Sequence, residues 1–184
     1  MNSSYLVVPL SEKDWERIAQ LRLESLKDSP QWLAGDLQEE LKRDEIAWRS
    51  VAKESFWSAI TCDGLDIGIM AVSPAEPIRN SDTWLHSCWI KPAHRGKNIT
   101  ALMIGRLDEI CREHGWDSQG LGVWPDNERA IRSYQKLGFK IGGEPRPSRR
   151  RPSQMYIPMF RRLDGKFVSP TNPGETQNSG DNCC

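Results

Sequence analysis

Two stretches of the chain hold residue types at spacings that could do chemistry. Arg95-Gly96-Lys97-Asn98-Ile99-Thr100 lies between a run that reads as a strand and a run that reads as a helix. The first turn of a helix presents backbone N–H groups that have no intrahelical partner. The helix dipole behind them favours an anion at that point. Arg95 and Lys97 add positive charge, and Gly96 lets the backbone approach a ligand closely. The combination suits a phosphate or pyrophosphate. An ordinary strand-to-helix connection with two solvated basic residues accounts for the hexapeptide equally well. The second stretch, Asn127 to Phe139, reads N-x-x-A-x-x-x-Y-x-x-x-G-F and begins 27 residues beyond Thr100.

Several other side chains are candidates for chemistry, each with a plainer reading beside it. Tyr134 could supply a proton, or be a core aromatic one helical turn beyond Ala130. His86 titrates in the useful range for a general base, or is a polar residue on a half-exposed strand. Ser148-Arg149-Arg150-Arg151 could meet an anionic substrate, although a charge run is usually a solvated face. Trp32, close to Pro30 in a loop, could wall an aromatic pocket, whereas Trp48 fits helix packing better.

The elements that must position these residues can be read from periodicity. Tyr5–Pro9 is a short strand, and Ser11 caps a helix carrying Trp15, Ile18, Ala19, Leu23 and Leu26 at helical spacing. A second helix opens at Asp36, with Glu39 completing its cap, and carries Leu37, Leu41, Trp48 and Val51. Phe56–Thr61 and Leu65–Val72 flank the turn Cys62-Asp63-Gly64 as a hairpin. Thr83–Ile90 is the next strand. A helix from about Thr100 to His114 ends at Gly115, and Leu121–Trp124 is a strand. Asn127 caps a helix that Gly138 stops. Phe139–Ile141 and Gln154–Phe160 close the pattern. The order β-αα-βββ-α-β-α-ββ predicts an α+β fold with a mixed sheet.

Composition narrows the function. Lys+Arg and Asp+Glu are 25 each in 184 residues, so no net field draws the chain to nucleic acid or to a membrane surface. No run is long enough to span a bilayer, and the expected location is the cytoplasm. Cys62, Cys88, Cys111, Cys183 and Cys184 show no metal-binding spacing, so no metal is expected. From residue 164 to 184 apolar residues nearly vanish, which predicts a disordered tail behind a domain of residues 1–163.

Taken together, Trp89-Ile90-Lys91-Pro92-Ala93-His94-Arg95-Gly96 and the Asn127–Phe139 pattern resemble the GNAT superfamily of acetyl-coenzyme A-dependent N-acetyltransferases. The resemblance covers roughly Tyr5 to Leu163. It implies a mixed, splayed sheet flanked by helices on both faces, with the pantetheine arm of acetyl-CoA lying in the splay. By resemblance, the backbone of Cys88, Trp89 and Ile90 would pair with that arm. Arg95, Gly96, Lys97, Asn98, Ile99 and Thr100 would surround the pyrophosphate. Asn127, Ala130 and Lys136 would contact the cofactor, and Tyr134 would sit beside the sulfur as the acid. The family's usual cradle has glycines where Asn98 and Thr100 stand. Asn tolerates left-handed backbone, and Thr crowds the approach. Some members carry a glutamate base where this chain has Gly122, so that role does not transfer. His86 is the candidate base, with Asp82 and Glu76 in the preceding loop, or solvent, as the alternatives.

The resemblance further implies direct transfer of an acetyl group to an amine, of a small molecule in the first instance. Protein N-terminal or lysine acetylation and a non-catalytic acyl-CoA-binding domain are the alternatives. In this family the Arg-rich loop borders the acceptor, so Arg149 or Arg151 would bind a substrate carboxylate or phosphate, with Trp32 as a pocket wall. A homodimer is expected, with no segment that identifies its interface.

Overall fold

The computed structural model describes residues 4–164. The expected tail, with Cys183 and Cys184, lies outside the described residues apart from Asp164. Eight strands and five helices follow one another as β1 (Tyr5–Leu10), α1 (Trp15–Asp28), α2 (Leu37–Glu40), α3 (Glu45–Lys53), β2 (Phe56–Cys62), β3 (Leu65–Pro74), β4 (Thr83–Ile90), α4 (Ile99–His114), β5 (Ser118–Val123), α5 (Glu128–Lys136), β6 (Lys140–Ile141), β7 (Arg146–Pro147) and β8 (Met155–Arg162). The sheet runs β1-β2-β3-β4-β5-β8-β6, with β7 paired to β8.

Period-two alternation builds a core on each face. Ile69 and Ala71 of β3 join Trp57 and Ala59 of β2 against Ile18, Leu21 and Leu26 of α1. Their neighbours Met70 and Val72 point the other way, against Met103, Leu107 and Ile110 of α4. The result is the mixed sheet that the element order predicted, with helices on both faces as the family resemblance implied.

Local chemistry explains most element ends. Asp63 and Gly64, both at positive φ, make the two-residue turn between β2 and β3. Gly115, at φ +68, takes the left-handed position that ends α4. Two expectations need correction. The helix expected from Asp36 through Val51 is two helices. Asp36 caps α2, and Asp44 restarts the chain by accepting from the Ala47 N–H at 2.9 Å. Leu41, between them, is exposed. In addition, the Pro/Arg-rich loop after β6 contributes the short strand β7.

Two irregularities in β4 shape the site. β4 runs parallel to β5 only through Thr83↔Gln119, Trp84↔Gly120 and Leu85↔Leu121, after which the strands part. On its other side, β4 pairs Ala71↔His86 and Ile69↔Trp89, so Met70 alone faces both Ser87 and Cys88. This is a β-bulge, and Ser87 holds it at φ +55. The surplus residue reverses the alternation. Leu85 faces the α4 layer, whereas Trp89, four residues on, faces the α1 layer.

Candidate active site

A cleft of about 1390 Å³ opens where β4 and β5 part. At one end stands the segment leading into α4. Gly96 (φ +80) and Asn98 (φ +57) both hold left-handed backbone. Asn98 therefore takes the conformation expected of it as a glycine substitute. Among the described residues, no acceptor meets the backbone N–H of Gly96, Lys97, Asn98, Ile99 or Thr100. Successive free N–H groups ahead of a four-turn helix form an anion-binding concavity. Thr100 lines the cleft, and Lys97 is exposed beside it.

Arg95 is placed differently from a free phosphate ligand. Its Nε donates to the Ile90 carbonyl oxygen at 2.9 Å and its Nη2 to Asp28. Asp28 also accepts from Trp89 Nε1 at 2.8 Å and Ser29 Oγ at 2.6 Å. Burial opposes charge on Asp28, yet hydrogen bonds from Ser29, Trp89 and Arg95 hold its carboxyl below the usual range. Arg95 and Trp89 thus fasten the end of β4 and the start of the cradle to the last turn of α1. Arg129, which the motif reading passed over, lies with a guanidinium nitrogen 4.0 Å from where a Cβ on Gly96 would stand. Its signal was a basic residue in the first turn of a helix that faces the cradle.

Across the gap, Asn127 caps α5, its Oδ1 accepting from the Ala130 N–H at 3.2 Å. Ala130 and Tyr134 pack on the α4-side core, while Lys136 is exposed at the cleft wall. The Cys88 thiol donates to the His86 carbonyl oxygen at 3.6 Å, and both Cys88 and Tyr134 line the cleft. Burial pushes the Cys88 thiol up to about 12, with the nearby Tyr134 hydroxyl opposing the shift. Burial likewise raises Tyr134 well above its ordinary value, with Cys88 adding to it. Both groups are neutral at physiological pH.

His86 points toward the other end of the cleft. Its Nε2 lies 3.2 Å from Ser55 Oγ and its Nδ1 3.0 Å from Ser87 Oγ. Burial first, then the charges of Arg22, Arg150 and Arg79, push it down to about 3. Such an imidazole is neutral but holds an abstracted proton poorly, and both nitrogens are occupied. This runs against the base role expected of it, since a base works best with a pKa near the operating pH. Position 122 offers no substitute. A Cβ on Gly122 would stand 2.7 Å from the Tyr156 ring, which covers that stretch of β5.

The end of the cleft beside His86 is bridged by loops. Arg151 lies outside the cleft lining, and its Nη2 donates to the carbonyl oxygens of Pro30 at 2.7 Å and Gly35 at 3.3 Å. Those two contacts tie the β7–β8 loop to the loop after α1, a different task from the substrate contact expected. Arg149 lines the cleft and pairs with Glu76. Trp32 lines it too, its carbonyl accepting from Trp124 Nε1 at 3.0 Å. Beneath them, Arg22 and Glu40 form a buried pair, Nε to Oε2 at 3.1 Å and Nη2 to Oε1 at 3.0 Å. Sequence reasoning missed this pair, because a buried Arg on a helix face reads as a solvated one.

Comparison with known proteins agrees with this architecture. The model of the acetyltransferase (GNAT) family matches residues 15–139. A Bacillus subtilis protein named as the uncharacterized N-acetyltransferase YdgE is 30% identical over 94 residues, which are 50% of this chain and 59% of that protein. The L-methionine sulfoximine/L-methionine sulfone acetyltransferase of Salmonella typhimurium is 32% identical over 56 residues, 30% of this chain and 33% of that one. The chain thus matches only part of the length of these two curated relatives. The solved spermidine N-acetyltransferase of Vibrio cholerae, in complex with CoA and spermine, shares the fold at TM-score 0.67 and 16% identity, over 88% of this chain and 96% of that one. With the family model spanning more than half of its residues, the chain belongs to the acetyltransferase (GNAT) family.

Proposed function

We propose that the chain is an N-acetyltransferase that moves an acetyl group from acetyl-CoA directly to the amine of a small molecule. The observation that carries this reading is the gap beyond Leu85 and Leu121, with five free backbone N–H groups at one end and Tyr134 on its wall. The residues suit the cofactor. The free N–H groups match a pyrophosphate, and the unpaired side of β4 matches an extended arm that adds like a strand. Bound acetyl-CoA supplies the activated thioester.

The chain's own groups divide the remaining work. A backbone N–H of Cys88 to Ile90 donates to the carbonyl oxygen as it gains charge. Tyr134, kept protonated by its burial, donates to the departing sulfur beside Cys88. His86 orders the acceptor end through its two serine contacts and takes no proton. The surroundings that depress His86 also disfavour an ammonium nearby, so the amine loses its proton to solvent as it enters.

A small acceptor is favoured over a peptide by the bridging of the acceptor end. Contacts of Arg151 with Pro30 and Gly35, and of Trp124 with Trp32, leave the loops joined across it. The Salmonella and Vibrio relatives are also named for small amine-bearing molecules. A cytoplasmic site of action accords with free Cys62, Cys88 and Cys111.

The test is release of CoA thiol from acetyl-CoA with a panel of small amines, for the intact chain and Tyr134→Phe. We expect turnover on at least one amine, and a loss of about 10²-fold in kcat in the variant. CoA binding without turnover on any amine would favour an acyl-CoA-binding domain. Turnover indifferent to Tyr134→Phe would remove the acid from the scheme.

A further inference from the structure

The acceptor end of the cleft holds more positive charge than its own carboxylates can balance. Arg22, Arg43, Arg79, Arg149 and Arg150 line it, against Glu40, Glu54 and Glu76. Their pairings decide which cations are committed. Glu40, 2% exposed, takes Arg22 in two hydrogen bonds and also meets Arg43 at 3.6 Å and Arg150 at 3.4 Å. One carboxylate thus serves three guanidiniums. Arg149 is taken by Glu76.

Apart from Arg43, which also lies over the Trp48 ring at 5.0 Å, two guanidiniums remain under-used. Arg79 lies half-buried with its guanidinium 4.1 Å from the Trp84 ring centroid. Among the described residues, no carboxylate is within ion-pair distance of it. Arg150 has only the long, shared contact to Glu40, and its side chain is 61% exposed. Glu76, three residues before Arg79, pairs with Arg149, the neighbour of Arg150, which brings both segments to the same end of the cleft. Trp84 packs edge-on against Tyr156 at 5.9 Å and gives this corner an apolar floor.

Resting on the transferase reading, we propose that the acceptor is an amino-acid-type molecule, a primary amine that also carries a free carboxylate, and that Arg79 and Arg150 bind the carboxylate. A guanidinium fork matches a carboxylate in shape and charge. A half-buried cation without a counter-anion is costly, and the substrate supplies the missing charge. The same wall repels acceptors with additional ammonium groups, so spermine is a poor substrate.

The experiment compares L-methionine, γ-aminobutyrate, the carboxamides of both, and spermine. Turnover is read by thiol release, and binding to the CoA-loaded protein by calorimetry. We expect each acid to exceed its amide at least about tenfold in kcat/KM. Arg79→Gln and Arg150→Gln should each shrink that gap to about twofold or less, the loss appearing as a raised KM for the acids, with Arg150→Lys restoring part of it. Turnover on amides or spermine equal to or above the acids overturns this proposal and leaves the transferase standing. Acid binding that needs Arg79 and Arg150 but gives no turnover supports the carboxylate site and fails the transferase. Neither turnover nor acid binding overturns both.

Discussion

Removing the Glu40 carboxylate is the sharpest test of how the acceptor end is held. Glu40 and Arg22 are 2% and 6% exposed, and their two hydrogen bonds at 3.0 and 3.1 Å are shielded from water. Glu40→Leu leaves the Arg22 guanidinium buried, with Ser87 Oγ at 3.4 Å as its remaining side-chain partner. Breaking a buried pair by deleting one member costs about 3–5 kcal/mol. The outer contacts to Arg43 and Arg150 are partly solvated and add no more than about 1 kcal/mol each. For a chain of this size, each kcal/mol moves the Tm by roughly 2–4 °C, so the variant should melt about 6–20 °C lower. The double variant Arg22→Leu/Glu40→Leu removes both charges and should recover most of the loss, because an apolar pair of similar volume is often no less stable. The assay is thermal and urea unfolding of the four proteins of the cycle. If the double variant were as unstable as the sum of its singles, the cost would lie in lost packing and the charge argument would fail. Gly35 belongs to the same unit, since a Cβ there would stand 2.3 Å from Arg22 Nη2 and 2.6 Å from Glu40 Oε1.

Two further outcomes follow from the site. Because His86 is depressed from 6.5 to about 3, the unfolded chain binds more protons between those values. Its contribution to stability is full above about 6.5 and is lost by roughly 1.4 kcal/mol per pH unit below it. Urea unfolding from pH 7 to pH 4 should therefore steepen in the wild type relative to His86→Gln, and equal slopes would remove His86 as the cause. Gly122→Glu should destabilise by about 1–3 kcal/mol through overpacking on Tyr156, without raising kcat at any pH. An acceleration would mean that Tyr156 yields and a carboxylate base fits after all.

Much of the frame was legible because it is written in local signals. The Asp63-Gly64 turn, the Gly115 stop and the limits of β4 each follow from one or two residues with a narrow conformational range. Asn98 was legible for the same reason. The break between α2 and α3 was not, because Leu37, Leu41, Trp48 and Val51 keep helical spacing through it and only Asp44 announces a new start. The bulge at Ser87 left no trace in composition, since Ser is an unremarkable strand residue and the irregularity exists only in its pairing with β3. The Arg22–Glu40 pair and the free face of Arg79 are likewise products of packing between distant segments. The middle arginine of the Arg149–Arg151 run shows the limit plainly. Its neighbours are absorbed by Glu76 and by backbone carbonyls, which the run itself could not disclose.

The surplus residue in β4 acts on the strand as an inserted letter acts on a reading frame. Residues before it keep their facing, and residues after it are inverted. Thr83–Leu85 therefore belongs to the sheet it shares with β5, while Cys88–Ile90 belongs to the gap, and each half can change its side chains without re-aiming the other. What β4 cannot tolerate is a change of count. Deleting one residue between His86 and Cys88 would turn Trp89 out of the α1 layer and away from Asp28, and swing an indole into the gap. Length, more than residue identity, is what this strand demands.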